Sequence, residues 1–259
     1  MHFLRHAMFV LLTIILGILP RISLASTPAA DEYNALITQF EEEGGARAFA
    51  PKFLKVAKAH PSDPSSVDAL LWVVKNVRGR RDTSRAISQL ADHHINSEKL
   101  EAACNDVAQS RTVEGENLLR TLIAKSPHRG VQAMASFQLL NLLTSESGII
   151  QQLAAKPELA KRVLQYYGRD YGKHLASLDA QNLEQKREMV LEQMKRSFSD
   201  YRVSDSTLGS IADRGLFAIR HLSVGRTAPN IQGTDILGES FKLSDYRGKV
   251  VMLTFWGHW

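Results

Sequence analysis

The chain has 259 residues, of which 44% are hydrophobic, and its formal net charge is +5 at pH 7. This length gives room for one or two domains, and the hydrophobic content is ordinary for a globular protein. Basic residues are scattered among acids and are not interleaved with aromatic side chains, which argues against nucleic acid as a partner.

Residues 1–25 have the pattern of a signal peptide. Arg5 precedes an apolar stretch over 7–19, Pro20 ends it, and small residues stand at Ser23 and Ala25. We expect cleavage after Ala25 and therefore an exported protein of the periplasm or cell envelope, touching the membrane only through this segment. An uncleaved membrane anchor is the alternative, although a span needs about 20 apolar residues.

Residues 30–222 show the periodicity of successive amphipathic helices and almost no strand pattern. Asp63 and Pro64 form a typical cap and first turn. We predict the following helices: 31–43; Pro51 to His60; Pro64 to about Gly79; one capped by Asp82 or Thr83; one capped by Asn96 and Ser97; one around 118–123; one around 131–142; Pro157 to about Tyr167; Asn182 to Phe198; and Ser210 to Leu222.

The helices are expected to pair as hairpins. Pro61 and Pro127 are separated by about two periods of the tetratricopeptide repeat, which is about 34 residues long. The tryptophan and the Gly-Tyr positions of that repeat are not reproduced. Repeat-like packing and an irregular helical bundle therefore both remain open.

Residues 223–259 carry a different pattern. Gly225 and Pro229 open the segment, a hairpin over 235–241 has Gly238 in its turn, and an apolar run covers Val250 to Phe255. The run predicts a strand buried on both faces, as in the middle of an α/β sheet. Between hairpin and run lie Leu243, Ser244, Asp245, Gly248 and Lys249, and after the run come Trp256 and Trp259.

This segment resembles the opening of the redoxin family, which comprises thioredoxin-like thiol–disulfide oxidoreductases and the AhpC/TSA-type peroxiredoxins with their antioxidant role. The positions that carry the resemblance are Gly225, Pro229, Gly238, Leu243, Ser244, Asp245, Gly248, Lys249, Phe255, Trp256 and Trp259. The resemblance implies a mainly α chain whose last part is the incomplete N-terminal part of an α/β thioredoxin-like domain. It also implies a thioredoxin-type electron donor or a protein disulfide substrate for a full-length relative.

In exported redoxins the next residues are Cys-x-x-Cys at a helix N-terminus, where a thiolate is the nucleophile and a second cysteine resolves the mixed disulfide. The sequence stops before that position. We expect a fragment that is inactive as written, with a natural truncated product or a sheet completed by a partner chain as alternatives. A helical module that binds a protein or peptide along a concave face is the alternative function.

The remaining candidate residues indicate no site. Cys104 is the single cysteine, and its place on an apolar stripe predicts a buried, inert thiol, with a redox or intermolecular role as the alternative. Tyr166, Tyr167 and Tyr171 either line a groove or pack between helices. The spacing of histidines and acids matches no metal motif. We therefore predict no catalytic residue, metal or cofactor in this chain.

Overall fold

The computed structural model describes residues 26–77, 81–223 and 225–254. The predicted signal peptide and its cleavage site lie outside these residues. Among the described helices, none combines the length and the apolar character that a bilayer crossing requires.

Eleven α-helices account for most of the described residues. They are α1 Pro28–Glu43, α2 Ala46–Ala59, α3 Pro64–Asn76, α4 Arg81–His93, α5 Leu100–Gln109, α6 Val113–Lys125, α7 Arg129–Ala155, α8 Ala160–Tyr167, α9 Arg169–Ser177, α10 Ala180–Ser197 and α11 Leu208–Phe217. A 3₁₀ turn over Pro157–Leu159 precedes α8, and a π-helical turn over Ala218–Leu222 extends α11.

Four short strands form two separate antiparallel hairpins within the described part of the chain. β1 (Arg202–Val203) pairs with β2 (Ser206–Thr207), and β3 (Gln232–Thr234) pairs with β4 (Ser240–Lys242). The chain is therefore mainly α, with a small part of a thioredoxin-like domain, as the sequence predicts.

Polar side chains cap several helices, and the cap predicted at Asp63 is confirmed. Asp63 accepts a hydrogen bond from the Ser65 backbone N–H at 2.8 Å, and Pro64 follows it as the first helical residue. Thr112 caps α6 in the same way, with its hydroxyl 3.0 Å from the Gly115 backbone nitrogen. These bonds satisfy backbone donors that have no partner inside the helix.

The predicted start of the second helix at Pro51 is wrong. α2 begins at Ala46, and Pro51 lies inside it. A proline here removes a single backbone bond near the start of the helix. Phe49 and Phe53, on either side of it, are both fully buried. Burial of two aromatic side chains stabilises the longer helix by more than the lost bond costs.

The predicted caps of α4 and α5 are also wrong. α4 already includes Asp82 and Thr83, and Thr83 is fully buried on the same stripe as Ile87. α5 begins at Leu100, after backbone turns in which the Ser97 carbonyl accepts from the Leu100 N–H. In α4, burial of the apolar face replaces the expected side-chain cap. In α5, backbone turns before Leu100 replace it.

One helix is longer than predicted, and one helix is additional to those predicted. α7 runs to Ala155, well beyond the predicted stretch over 131–142, and α9 was not predicted. Gly168 adopts φ +83° between α8 and α9 and so separates two helices that the pattern did not resolve.

A hydrophobic cluster joins the described helices other than α8 and α9, and its buried members lie between Phe49 and Ile219. α7 lies at its centre and packs against α5, α6 and α10. The helices vary from 8 residues in α8 to 27 in α7. A repeated unit needs helices of similar length, so the irregular bundle describes this arrangement better than a repeat array.

Candidate functional site

The redoxin-like segment forms the expected hairpin. Gln232 pairs with Lys242 and Thr234 with Ser240 across β3 and β4. Asp235 closes the turn because its carboxylate accepts from the backbone N–H groups of Leu237 and Glu239 at 2.8 and 2.9 Å. Gly238 has φ +85°, a conformation that glycine adopts without the strain of a side chain.

The turn after the hairpin is held by its polar residues. Leu243–Tyr246 forms a 3₁₀ turn. Asp245 accepts from the Lys242 backbone N–H at 2.9 Å, and Ser244 donates its backbone N–H to the Asn230 side chain at 2.9 Å. The Asn230 contact ties the turn to the residues that precede β3. Ser244 and Asp245 therefore have structural roles here.

The remaining motif positions lie in segments without regular secondary structure or lie outside the described residues. Gly225 and Gly248 adopt φ +86° and +82°. The Lys249 ammonium lies 5.9 Å from the centre of the Tyr246 ring. Phe255, Trp256 and Trp259 lie outside the described residues, and Pro229 takes part in no described helix or strand.

The prediction of a strand over Val250 to Phe255 is wrong for its described part. Residues 250–254 form no strand, and Val250 is fully exposed. A buried sheet strand requires hydrogen-bonding neighbours and helices on both faces. None of the described residues supplies them to this run, so its apolar side chains remain largely accessible to solvent.

Cys104 is buried, as predicted, and its environment suppresses thiol chemistry. The side chain has no solvent exposure, and Sγ donates to the Leu100 carbonyl oxygen at 3.0 Å. Burial, reinforced by the charge of Glu101, raises the pKa of the thiol to about 12. Because the thiolate is the reactive form, Cys104 is unsuited to disulfide exchange in the folded chain.

A cluster of buried polar side chains at the junction of α6, α7 and α9 escaped the sequence analysis. Glu116 from α6, Glu146 from α7 and His174 from α9 each offer one ligand atom, and these three atoms lie within 4.8 Å of one another. His174 Nε2 is 3.4 Å from Glu116 Oε2 and 3.6 Å from Glu146 Oε1. Imidazole and carboxylate groups in this proximity can hold a metal ion.

Neighbouring side chains fix both carboxylates. Arg120 donates to Glu116 Oε1 at 2.6 and 2.9 Å through two of its nitrogens. The Tyr171 hydroxyl donates to Glu146 Oε1 at 2.5 Å. Burial is the main cause of the raised pKa of Glu146. Burial is also the main cause of the raised pKa of Tyr171, and the negative charge of Glu146 is the second cause.

Two atoms of this cluster remain unsatisfied. Among the described residues, neither Glu146 Oε2 nor His174 Nε2 has a hydrogen-bond partner, and both are buried. Buried polar atoms are nearly always paired, so each exception calls for an explanation.

The cluster was missed because its members are far apart in sequence and meet only through helix packing. One signal was available. Glu146 follows Leu139 and Leu142 at the spacing of the buried face of α7, where an acid is rare unless it has a partner. Of the tyrosines for which a groove and packing between helices were both open, Tyr171 is buried and also lines a pocket together with Tyr167, whereas Tyr166 is exposed.

No protein-family model and no solved structure matches the chain. A stretch of 38 residues is 55% identical to the thiol-disulfide oxidoreductase ResA of Geobacillus kaustophilus (strain HTA426), covering 15% of this chain and 22% of that protein. A stretch of 58 residues is 36% identical to ResA of Bacillus thuringiensis (strain Al Hakam), covering 22% and 34%. A stretch of 47 residues is 43% identical to ResA of a strain of Bacillus cereus, covering 18% and 27%.

The chain thus spans about a third or less of the length of these curated relatives. The similarity is nevertheless repeated across several of them and agrees with the resemblance found in residues 223–259. These matches show that a short stretch of the chain is similar to thioredoxin-like thiol-disulfide oxidoreductases.

Proposed function

We propose that the chain is part of an exported thiol–disulfide oxidoreductase. In this proposal residues 1–25 are a cleaved signal peptide, residues 30–222 are a helical domain, and residues 223–259 begin the thioredoxin-like domain. The observation that carries the proposal is the identity of 36–55% to thiol-disulfide oxidoreductases. The β3–β4 hairpin and the turn held by Asp245 support it.

The 259 residues are proposed to be inactive in thiol exchange. Exchange requires a thiolate that attacks a disulfide and a second thiol that resolves the mixed disulfide. The sequence holds one cysteine, and that residue is buried with its pKa raised to about 12. A protein disulfide substrate and a thioredoxin-type electron donor would belong to the complete redoxin domain.

Export agrees with this chemistry. Disulfides persist outside the cytoplasm and there require enzymes that form, reduce or rearrange them. The charged start, apolar stretch and small residues of 1–25 fit a signal peptide, with a membrane anchor as the other form of the same proposal.

An insulin-reduction assay tests the assignment. The 259-residue chain should show no turnover above buffer. A fusion that continues after Trp259 with the remainder of a redoxin that contains Cys-x-x-Cys should reduce insulin. The matched control is the same fusion with both cysteines replaced by serine, which should be inactive. A folded fusion with intact cysteines that fails to reduce insulin would show that 223–259 is not a redoxin start.

The alternative function, a peptide-binding module, is favoured by a groove between α2 and α4. Its lining includes Lys55, Lys58, Arg81 and Arg85, and Glu114 is the single acid among the described lining residues. This charge fits an acidic peptide segment of a partner protein. The double variant Lys55→Glu with Lys58→Glu should abolish binding of a polyglutamate probe at low salt. Equal binding by this variant and the original chain would refute the groove as the site.

A further inference from the structure

We propose that Glu116, Glu146 and His174 bind a divalent transition-metal ion between helices α6, α7 and α9. The site is independent of the proposed redox function, because it lies in the helical part of the chain and uses no thiol. The described residues of the redoxin-like segment contribute nothing to it.

Two distances within the cluster match those between ligands that share a metal ion, and all three ligand atoms lie within 4.8 Å of one another. Tetrahedral zinc has bonds of about 2.0–2.2 Å to nitrogen and oxygen, so two of its ligand atoms are about 3.3–3.6 Å apart. His174 Nε2 lies 3.4 Å from Glu116 Oε2 and 3.6 Å from Glu146 Oε1. Among the described residues, Nε2 makes no hydrogen bond to either oxygen or to any other acceptor. The nitrogen is thus close to two carboxylates without the geometry of a hydrogen bond.

Glu146 Oε2 and His174 Nε2 lack hydrogen-bond partners among the described residues, and their burial makes this lack energetically costly. The Glu146 side chain is 0% exposed, Glu116 is 9% exposed and His174 is 18% exposed. A carboxylate that is fully removed from water is strongly unfavourable unless it is paired or coordinates a metal. An ion at this point would satisfy Glu146 and His174 together, and it can enter along the partly exposed edge of His174.

Outer contacts hold the ligands in position. Arg120 binds Oε1 of Glu116, which leaves Oε2 directed at His174. Tyr171 binds Oε1 of Glu146, and Oε2 remains free among the described residues. Such second contacts orient the ligands of protein metal sites and raise their affinity.

Two guanidinium groups also act on the cluster. Arg120 pairs with Glu116. Arg111, which donates to Ser145 at 2.9 Å, acts electrostatically on both Glu146 and Tyr171. These cations offset part of the negative charge, so we expect weaker binding than at a purely acidic site. Imidazole selects Zn²⁺ and similar ions over Mg²⁺ and Ca²⁺, and Zn²⁺ is therefore the first probe.

The test uses the full 259-residue chain, treated with EDTA and then dialysed against Zn²⁺, with the bound metal measured by mass spectrometry. One equivalent of Zn²⁺ should bind, and Mg²⁺ should not compete at equal concentration. Glu146→Gln and His174→Gln, which nearly keep the side-chain volume, should each weaken binding about 100-fold or more. Tyr171→Phe, which removes only an orienting contact, should weaken it about 10- to 100-fold.

His128→Gln is the matched control, because His128 also pairs with a glutamate, Glu98, at 3.1 Å but on the surface. This variant should bind like the original chain. Circular dichroism verifies the fold of each variant, and Co²⁺ in place of Zn²⁺ gives a visible spectrum that reports tetrahedral nitrogen and oxygen ligands without any substitution. No stoichiometric binding, or binding that survives in both Glu146→Gln and His174→Gln, would overturn the proposal. Octahedral, water-dominated Co²⁺ spectra in the original chain would do so as well.

Discussion

Removal of residues 225–259 should leave the helical bundle intact. The buried core lies between Phe49 and Ile219, before the cut. The polar groups that hold the removed part, those of Asn230, Asp235 and Asp245, all bond to backbone N–H groups of the same segment. The segment therefore contributes little to the folding of the helices.

The expected size of the effect follows from burial. Hydrophobic stabilisation is roughly 25 cal/mol for each Å² of apolar surface removed from water. Ile236 and Val250 are fully exposed, and no described residue of the segment belongs to the core cluster. The free energy of unfolding should change by less than about 0.5 kcal/mol, as for ordinary surface changes. Leu119→Ala, at a fully buried position, should instead cost about 2–5 kcal/mol.

Urea denaturation followed by circular dichroism at the helical band measures both variants against a parent chain that lacks residues 1–25. The truncated chain should also remain monomeric at higher concentration, because the exposed apolar run over 250–254 is an aggregation hazard. A loss of helical signal, or destabilisation by more than about 1 kcal/mol, would refute the division of the chain near residue 225.

Three further predictions concern single residues. At pH 8 an unfolded cysteine with a pKa of 9.0 is roughly one tenth thiolate, whereas a thiol with a pKa of about 12 is only about 10⁻⁴ thiolate. Alkylation of Cys104 by iodoacetamide in the native chain should therefore be roughly 10³-fold slower than in urea. Equal rates would contradict its burial. Because folding raises that pKa above the unfolded value of 9.0, the contribution of Cys104 to stability should fall as the pH rises through 9 towards 12, as alkaline denaturation can show. Asp63→Ala should cost about 1 kcal/mol at pH 7 in urea denaturation. A hydrogen bond from the Ser65 backbone N–H, and next in size one from the Thr27 side chain, lower the pKa of Asp63. The difference in unfolding free energy between the original chain and Asp63→Ala should therefore shrink as the pH falls below 3.8. A difference that does not depend on pH would exclude the cap. Gly238→Ala should destabilise the β3–β4 hairpin by about 1–2 kcal/mol, because residue 238 has a positive φ. Amide hydrogen exchange should become faster in the hairpin, and the unfolding of the helices should not change. A loss of helix stability would contradict the independence of the hairpin.

Local rules predicted the parts of the fold in which a residue acts on its neighbours. The cap at Asp63 and the hairpin turn at Gly238 both rest on short-range geometry and are present. These rules failed where the packing of distant side chains determines where a helix begins. Pro51 lies inside a helix because Phe49 and Phe53 are buried on both sides of it.

The candidate sites divide in the same way. The redoxin-like segment was found from sequence because its residues are consecutive. The metal-ligand cluster was missed because Glu116, Glu146 and His174 come from three helices, and their mutual distances depend on how α7 packs against α6 and α9. The strand predicted over 250–255 failed in its described part because β structure depends on partner strands, which the described residues do not supply.

The nucleotide sequence after the codon for Trp259 tests the central claim most directly. We predict that the reading frame continues and that it soon encodes Cys-x-x-Cys, which would give the redoxin segment its nucleophile and resolving thiol. A stop codon at that point in the genome, together with a stable 259-residue product in the cell, would contradict the proposed oxidoreductase and favour the peptide-binding module.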